Sequence, residues 1–289
     1  MSSAIEDVVQ TKSGKAPADW SLWLRQIGAI FRLEIEKNFL SRRSLLIYLI
    51  AFLPLFPLLV LAFFTPPGRE WRDFNNYSIV YAGIYNAFIV RTLVFFGSAW
   101  IFMNLFRGEL VDRSLHYYFL SAVRRDVLVV AKYISGLVTS IILFTSTTVL
   151  AMLLLYFPHV YSQSVRYFTE GRGLTQLLTY AGITILACFG YGAFFLFIGL
   201  FVRNPIIPAV LLYGWEWLNF LLPPLLKKIS VIHYLNSLVP VPLSEGPFAV
   251  VAEPTPAYIA IPSMLVVTIL VLILAAYRIR HMEIRYGSD

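Results

Sequence analysis

Charge is scarce in this sequence. Of 289 residues, 13% are Asp, Glu, Lys or Arg, and 58% are hydrophobic. Soluble domains carry about 25% charge, so a soluble globular chain is excluded at the outset. Cysteine is nearly absent as well. Cys188 stands alone inside an apolar run, so no intrachain disulfide can form, and its setting suits packing rather than reactivity. The phosphate-binding pattern G-x-x-x-x-G-K-[ST] does not occur. The chain therefore cannot bind ATP by itself in the P-loop manner, and no cofactor is expected in it. His116, His159, His233 and His281 are scattered, without H-E-x-x-H or ligand spacing, and G-x-S-x-G is missing. These absences argue against a metal-dependent or serine-nucleophile enzyme. The net charge of +7 comes with no basic patch interleaved with aromatics on a soluble domain, so nucleic acid is not an expected partner.

What the sequence does have is long apolar runs. A membrane helix needs about 20 mostly apolar residues. Six runs qualify, over roughly 45–65, 77–105, 128–157, 174–202, 205–226 and 258–277. None alternates as a membrane β-strand would. The expected fold is all-α and integral to the bilayer: six transmembrane helices spanning 44–278. Residues 1–19 read as a disordered polar leader without a cleavable signal, and 279–289 as a tail. Between leader and first span, "DWSLWLRQIGAIFRLEIEKNFLSRR" repeats Trp20, Trp23, Leu24, Ile27, Phe31, Ile35 and Phe39 at helical spacing. Residues 20–43 therefore predict an amphipathic helix lying in the membrane interface.

Basic residues set the orientation. Lys12, Lys15, Arg25, Arg32, Lys37, Arg42 and Arg43 precede the first span. Arg107, Arg113, Arg124, Arg125 and Lys132 follow the second, and Arg278, Arg280 and Arg285 follow the last. Fewer lie on the other side, so both termini are expected in the cytoplasm of a multi-pass protein of the cell's inner (plasma) membrane. The loop over about 227–258 is then external, and "ISVIHYLNSLVPVPL" within it predicts a short amphipathic helix.

Against this background residues 106–133, "FRGELVDRSLHYYFLSAVRRDVLVVAKY", are conspicuously charged yet compatible with a helix. They read either as a solvated connector binding anionic lipid or as a docking element for a cytoplasmic partner. The contact candidates are Glu109, Asp112, Arg113, Arg124 and Arg125.

Two charges lie deep inside the spans, Arg91 and Glu216. At 1.5 Å per residue Glu216 is roughly 16–17 Å from the cytoplasmic turn, and Arg91 about 24 Å. An isolated ionised group there costs at least about 2.5–3.5 kcal/mol. Two arrangements are open: a direct Arg91–Glu216 contact, within one subunit or across a dimer, beside the aromatic wall of Tyr213, Trp215, Trp217 and Phe220; or Arg91 snorkelling outward with Glu216 protonated or bonded to polar neighbours.

Several features together resemble the permease subunits of type-2 class (ABC-2 type) ABC exporters. They are the six spans, the amphipathic elbow, the charged helix over about 107–126 and the long external loop. The local likeness lies in Glu109 and Asp112 followed by "RSL" (Arg113 to Leu115), "SAVRR" (Ser121 to Arg125) and "AK" (Ala131, Lys132). It extends through "LFVRNPIIPAVLLYGWEWL" and "ISVIHYLNSLVP". Arg113 and Ala131 stand where that family usually has glycine, and its usual proline is missing. The resemblance implies a translocation pathway formed by two permeases, as a homodimer or with a related chain. It also implies a coupling helix seated on a separate ATPase subunit, which holds ATP and Mg. Other classes remain open at this stage. A secondary transporter or channel would carry more ionisable groups inside its spans, and a non-transporting anchor would recruit a cytoplasmic complex.

Overall fold

The structure is a computed structural model that describes residues 20–41, 44–64, 74–111, 124–156, 161–202, 206–241, 250 and 253–281, except for the side chains of 61, 74–76, 110, 111 and 161–163. Among these residues there is no strand. The helices are α1 (Trp20–Leu40), α2 (Ser44–Phe52), α3 (Leu55–Phe64) and α4 (Phe74–Ile84). A π-helical section (Tyr85–Val94) follows and continues directly into α5 (Phe95–Val111). Then come α6 (Arg125–Tyr156), α7 (Tyr161–Thr169), α8 (Gly173–Phe201) and α9 (Ile206–Trp217), which tightens into a 3-10 turn (Leu218–Leu221). The last elements are α10 (Pro224–Lys227), α11 (Val231–Leu238) and α12 (Ala257–Arg280).

Four helices are long and apolar enough to cross a membrane: Tyr77–Glu109, Arg125–Tyr156, Gly173–Phe201 and Ala257–Arg280. The α2–α3 pair makes a fifth if its 45° bend is counted within one span. The bend falls at Leu53 and Pro54, where proline removes a helix donor. The expected span over 205–226 is not one long helix. Its apolar part, Ile206–Leu221, reaches only about 24 Å. Pro223 and Pro224 cannot continue the donor ladder, and the chain turns back into α10 and α11. The short helix expected in the following loop is α11. Residues 1–19, 112–123, 242–249 and 282–289 lie outside the described ones. So the leader, the centre of the charged segment and much of the tail do too.

α8 sits centrally, packed on α5, α6 and α12. Its contacts follow from small residues that let apolar helices approach closely. Phe102 of α5 is held between Gly136 of α6 and Gly192 of α8. A Cβ at Gly192 would lie 2.5 Å from the Phe102 ring, and one at Gly136 would lie 2.9 Å from it. Elsewhere, buried tyrosines reach backbone carbonyls of neighbouring helices. The Tyr81 hydroxyl donates to the Thr148 carbonyl, and that of Tyr85 to the Tyr180 carbonyl. Such pairs satisfy groups that lipid could not.

Candidate functional site

Three helices converge on one buried lysine. Lys132 lies in the second turn of α6 and is fully buried. Its ammonium donates to Glu34 Oε1 of α1 at 2.6 Å and to the Leu105 carbonyl at 2.9 Å, and it is ion-paired with Glu109 Oε1 of α5 at 2.8 Å. Three oxygens thus surround a group that carries three protons. Lys37, half exposed, lies 3.4 Å from Glu109 and 3.6 Å from Glu34. Two lysines and two carboxylates thus balance. The helical periods explain the convergence. Glu34, Lys37 and Asn38 share one side of α1 at i, i+3 and i+4, and Asn38 donates to Thr139 of α6. Leu105 and Glu109 are likewise i and i+4 on α5.

A second clasp closes the same end of the bundle. Arg280 of α12 grips Asp126 of α6 through both Nε and Nη2. Arg125 donates to the carbonyls of Ile279 and Arg280 at 3.3 and 2.8 Å. These are orphan acceptors of a helix end, where a cation is favoured. Arg124 stacks on Trp23 of α1, 4.6 Å from its ring centroid. Of the expected partner contacts, Glu109, Arg124 and Arg125 are therefore engaged by the chain's own residues. Glu109 in particular is buried rather than displayed. Asp112 and Arg113 fall outside the described residues.

Within the chain the two intramembrane charges do not pair with each other, which leaves of the expected contact only its form across a dimer. Glu216 is buried at the start of α11. It accepts the Ser230 hydroxyl at 2.8 Å, the Ile232 and Val231 N–H groups at 2.9 and 3.1 Å, and the Tyr191 hydroxyl at 3.3 Å. A helix N-terminus offers unpaired donors and a favourable dipole, and here it satisfies the carboxylate without a cation. Arg91 turns instead to Asn86 Oδ1 at 2.9 Å and to the Trp217 carbonyl at 3.3 Å, one residue beyond Glu216. Asn86 in turn donates to Asn236 of α11 at 2.9 Å.

The π-helical section makes the Asn86–Arg91 bond possible. Residues i and i+5 of an α-helix point about 140° apart. The wider π turn brings them together, and the Thr92 hydroxyl reaches Ala87 O at the same spacing. Such turns recur at functional sites. The expected aromatic wall is uneven. Tyr213 packs on Phe95 and Phe96, Trp215 and Phe220 are half-buried, and Trp217 is exposed.

Glu34, Lys132, Asn86, Asn236, Tyr191 and Ser230 were not singled out from sequence as members of these networks. Glu34 alone carried a signal there: it follows Ile27 and Ile30 at helical spacing and so interrupts an apolar row. Comparison of the chain with protein-family models, with characterised proteins and with solved structures finds no match.

Proposed function

We propose that this chain is the membrane-spanning permease subunit of an ATP-driven exporter of the ABC-2 class. Two such chains, or one with a related chain, would form the pathway. A separate cytoplasmic ATPase would seat on the segment between α5 and α6, and both termini would face the cytoplasm. The chain itself would hydrolyse nothing. The observation that carries the reading is the ion cluster at Lys132. A motor outside the membrane can act on a bundle only through a stiff connection. Lys132 ties the helix that enters the charged segment to the helix that leaves it, and ties both to α1. A solvated connector has no need of a buried ion cluster at its root, because burying charges carries a desolvation cost that exposed pairs avoid.

The test is co-purification of the chain with a P-loop ATPase from its native membrane, followed by reversal of Arg113 to Glu in the segment itself. The expected result is a retained fold with loss of ATPase binding. Recovery of the folded chain without any ATPase would overturn the reading.

A further inference from the structure

A groove of about 920 Å³ opens on one side of the bundle, between the α2–α3 pair, the second span and α9. Its floor is a row on the second span: Phe88, Thr92, Phe96, Trp100 and Asn104 at four-residue spacing, ending at Arg107. From Phe88 to Arg107 the row is roughly 28 Å long at 1.5 Å per residue, close to the thickness of a bilayer's hydrocarbon core. Phe56 and Val210 form exposed apolar lips, so the groove is open sideways.

Among the described residues the basic end has no counter-ion. Arg107 is half-buried, and among the described residues its one hydrogen bond, to the Val202 carbonyl, is 3.5 Å long, at the outer limit for an N–H donor. Among the described residues no carboxylate lies within ion-pair distance of it. Nor do the described apolar helices have one to spare. Glu109 is held by Lys132, Asp126 by Arg280, and Glu216 by three donors at the start of α11 and by Tyr191 of α8. A second copy of the chain pressed into the groove from these helices would therefore bring apolar surface but no free acid.

We propose that the groove binds an anionic lipid. Its phosphate or carboxylate head sits at Arg107 and Asn104, and its acyl chain lies along Trp100, Phe96 and Phe88. The aromatic row supplies apolar contact, and the guanidinium matches an oxyanion bidentately. If the transport reading above holds, this lipid is the class of molecule moved. The site itself does not depend on that reading.

The test places the full chain, with Trp100 as its sole tryptophan, in nanodiscs. Phosphatidylglycerol or phosphatidylcholine with brominated chains is then titrated in at constant total lipid, and quenching of Trp100 is followed. Half-maximal quenching is expected at an about fivefold lower mole fraction of the acidic lipid, the ratio that one basic side chain contributes at a membrane surface. Arg107→Lys keeps that preference and Arg107→Gln removes it. Val210→Phe, at an exposed lip where folding is not at risk, weakens quenching by both lipids. Inorganic phosphate leaves the quenching unchanged. Equal quenching by the two lipids, an unchanged preference in Arg107→Gln, or release by phosphate alone would each overturn the proposal. So would efficient cross-linking of two copies through Val210→Cys in the discs, which would seat a second copy at the groove. Recovery of the chain without an ATPase would sink the exporter reading and leave this result untouched.

Discussion

Replacing Lys132 by methionine removes one charge from a site that water cannot refill. The side chain is fully buried, and Glu34 and Glu109 are each nearly so. Breaking a buried ion pair by deleting one partner costs about 3–5 kcal/mol, because the other charge is left uncompensated. Here two carboxylates are left, but Lys37 stands 3.4 and 3.6 Å from them and can move in from its half-exposed position. The expected loss is therefore about 3 kcal/mol, at the lower end. Glu34→Gln together with Glu109→Gln in the same chain should return most of it, since apolar or neutral replacements of a whole buried cluster are often tolerated. The assay is thermal unfolding of the purified chain in one detergent, comparing the single variant, the double Glu variant and the triple variant. Coupling should appear as a triple variant much milder than the summed losses. A Lys132→Met chain within about 0.5 kcal/mol of the parent, the range of an ordinary surface change, would refute the cluster, and strictly additive losses would refute its cooperation.

Other changes probe other junctions. Glu216→Ala removes the shared acceptor of Ser230, Val231, Ile232 and Tyr191. It should lower stability by about 3 kcal/mol or more and expose the backbone amides of Val231 and Ile232 to hydrogen exchange, with Glu216→Gln intermediate. Gly192→Leu should prevent close packing of α8 on Phe102 and cost more than about 3 kcal/mol, while Gly192→Ala with Phe102→Leu should recover part of it in the same unfolding assay. Asp126→Arg should loosen the end of α12, seen as faster proteolysis near Arg280, and Asp126→Arg with Arg280→Asp should restore protection. Cysteine at Ser244 should react with an impermeant thiol reagent in intact cells and cysteine at Ser121 should not; the opposite pattern would reverse the orientation.

The membrane class and the all-helical fold were legible because hydropathy over about twenty residues is a property of local sequence. The short α9 was harder to read. Its apolar content passes as a span, and what ends it is the combination of Pro223–Pro224 with a carboxylate fifteen residues upstream of the N–H it accepts. That is a tertiary fact. Arg91 and Glu216 were legible as unusual, since charge at that depth is costly wherever it points. Their partners were not, because periodicity at α-helical spacing puts Asn86 and Arg91 on different faces. Only the π turn joins them. Lys132 was read as one more flanking cation, and its burial depends on α1 folding back against α6, which no pattern within residues 106–133 encodes.

The second span links these features. Its π-helical section carries Arg91 and Asn86, its middle carries the aromatic row of the groove, and its end carries Leu105 and Glu109 against Lys132. Hydrogen bonding runs unbroken from Phe74 to Val111, so the three regions cannot move independently by bending at a loop. A shift of one π turn to α geometry would rotate everything below it by about 100°, one residue's step. That rotation would carry Phe96, Trp100 and Asn104 away from the groove. It would also pull Glu109 off Lys132, which is buried and has no other place to go. The two clusters at the ends therefore hold the register between them. Loss of the Asn86–Arg91 bond should be felt at Glu109, about twenty residues away, more strongly than at Tyr81, which is closer in sequence but lies above the π turn.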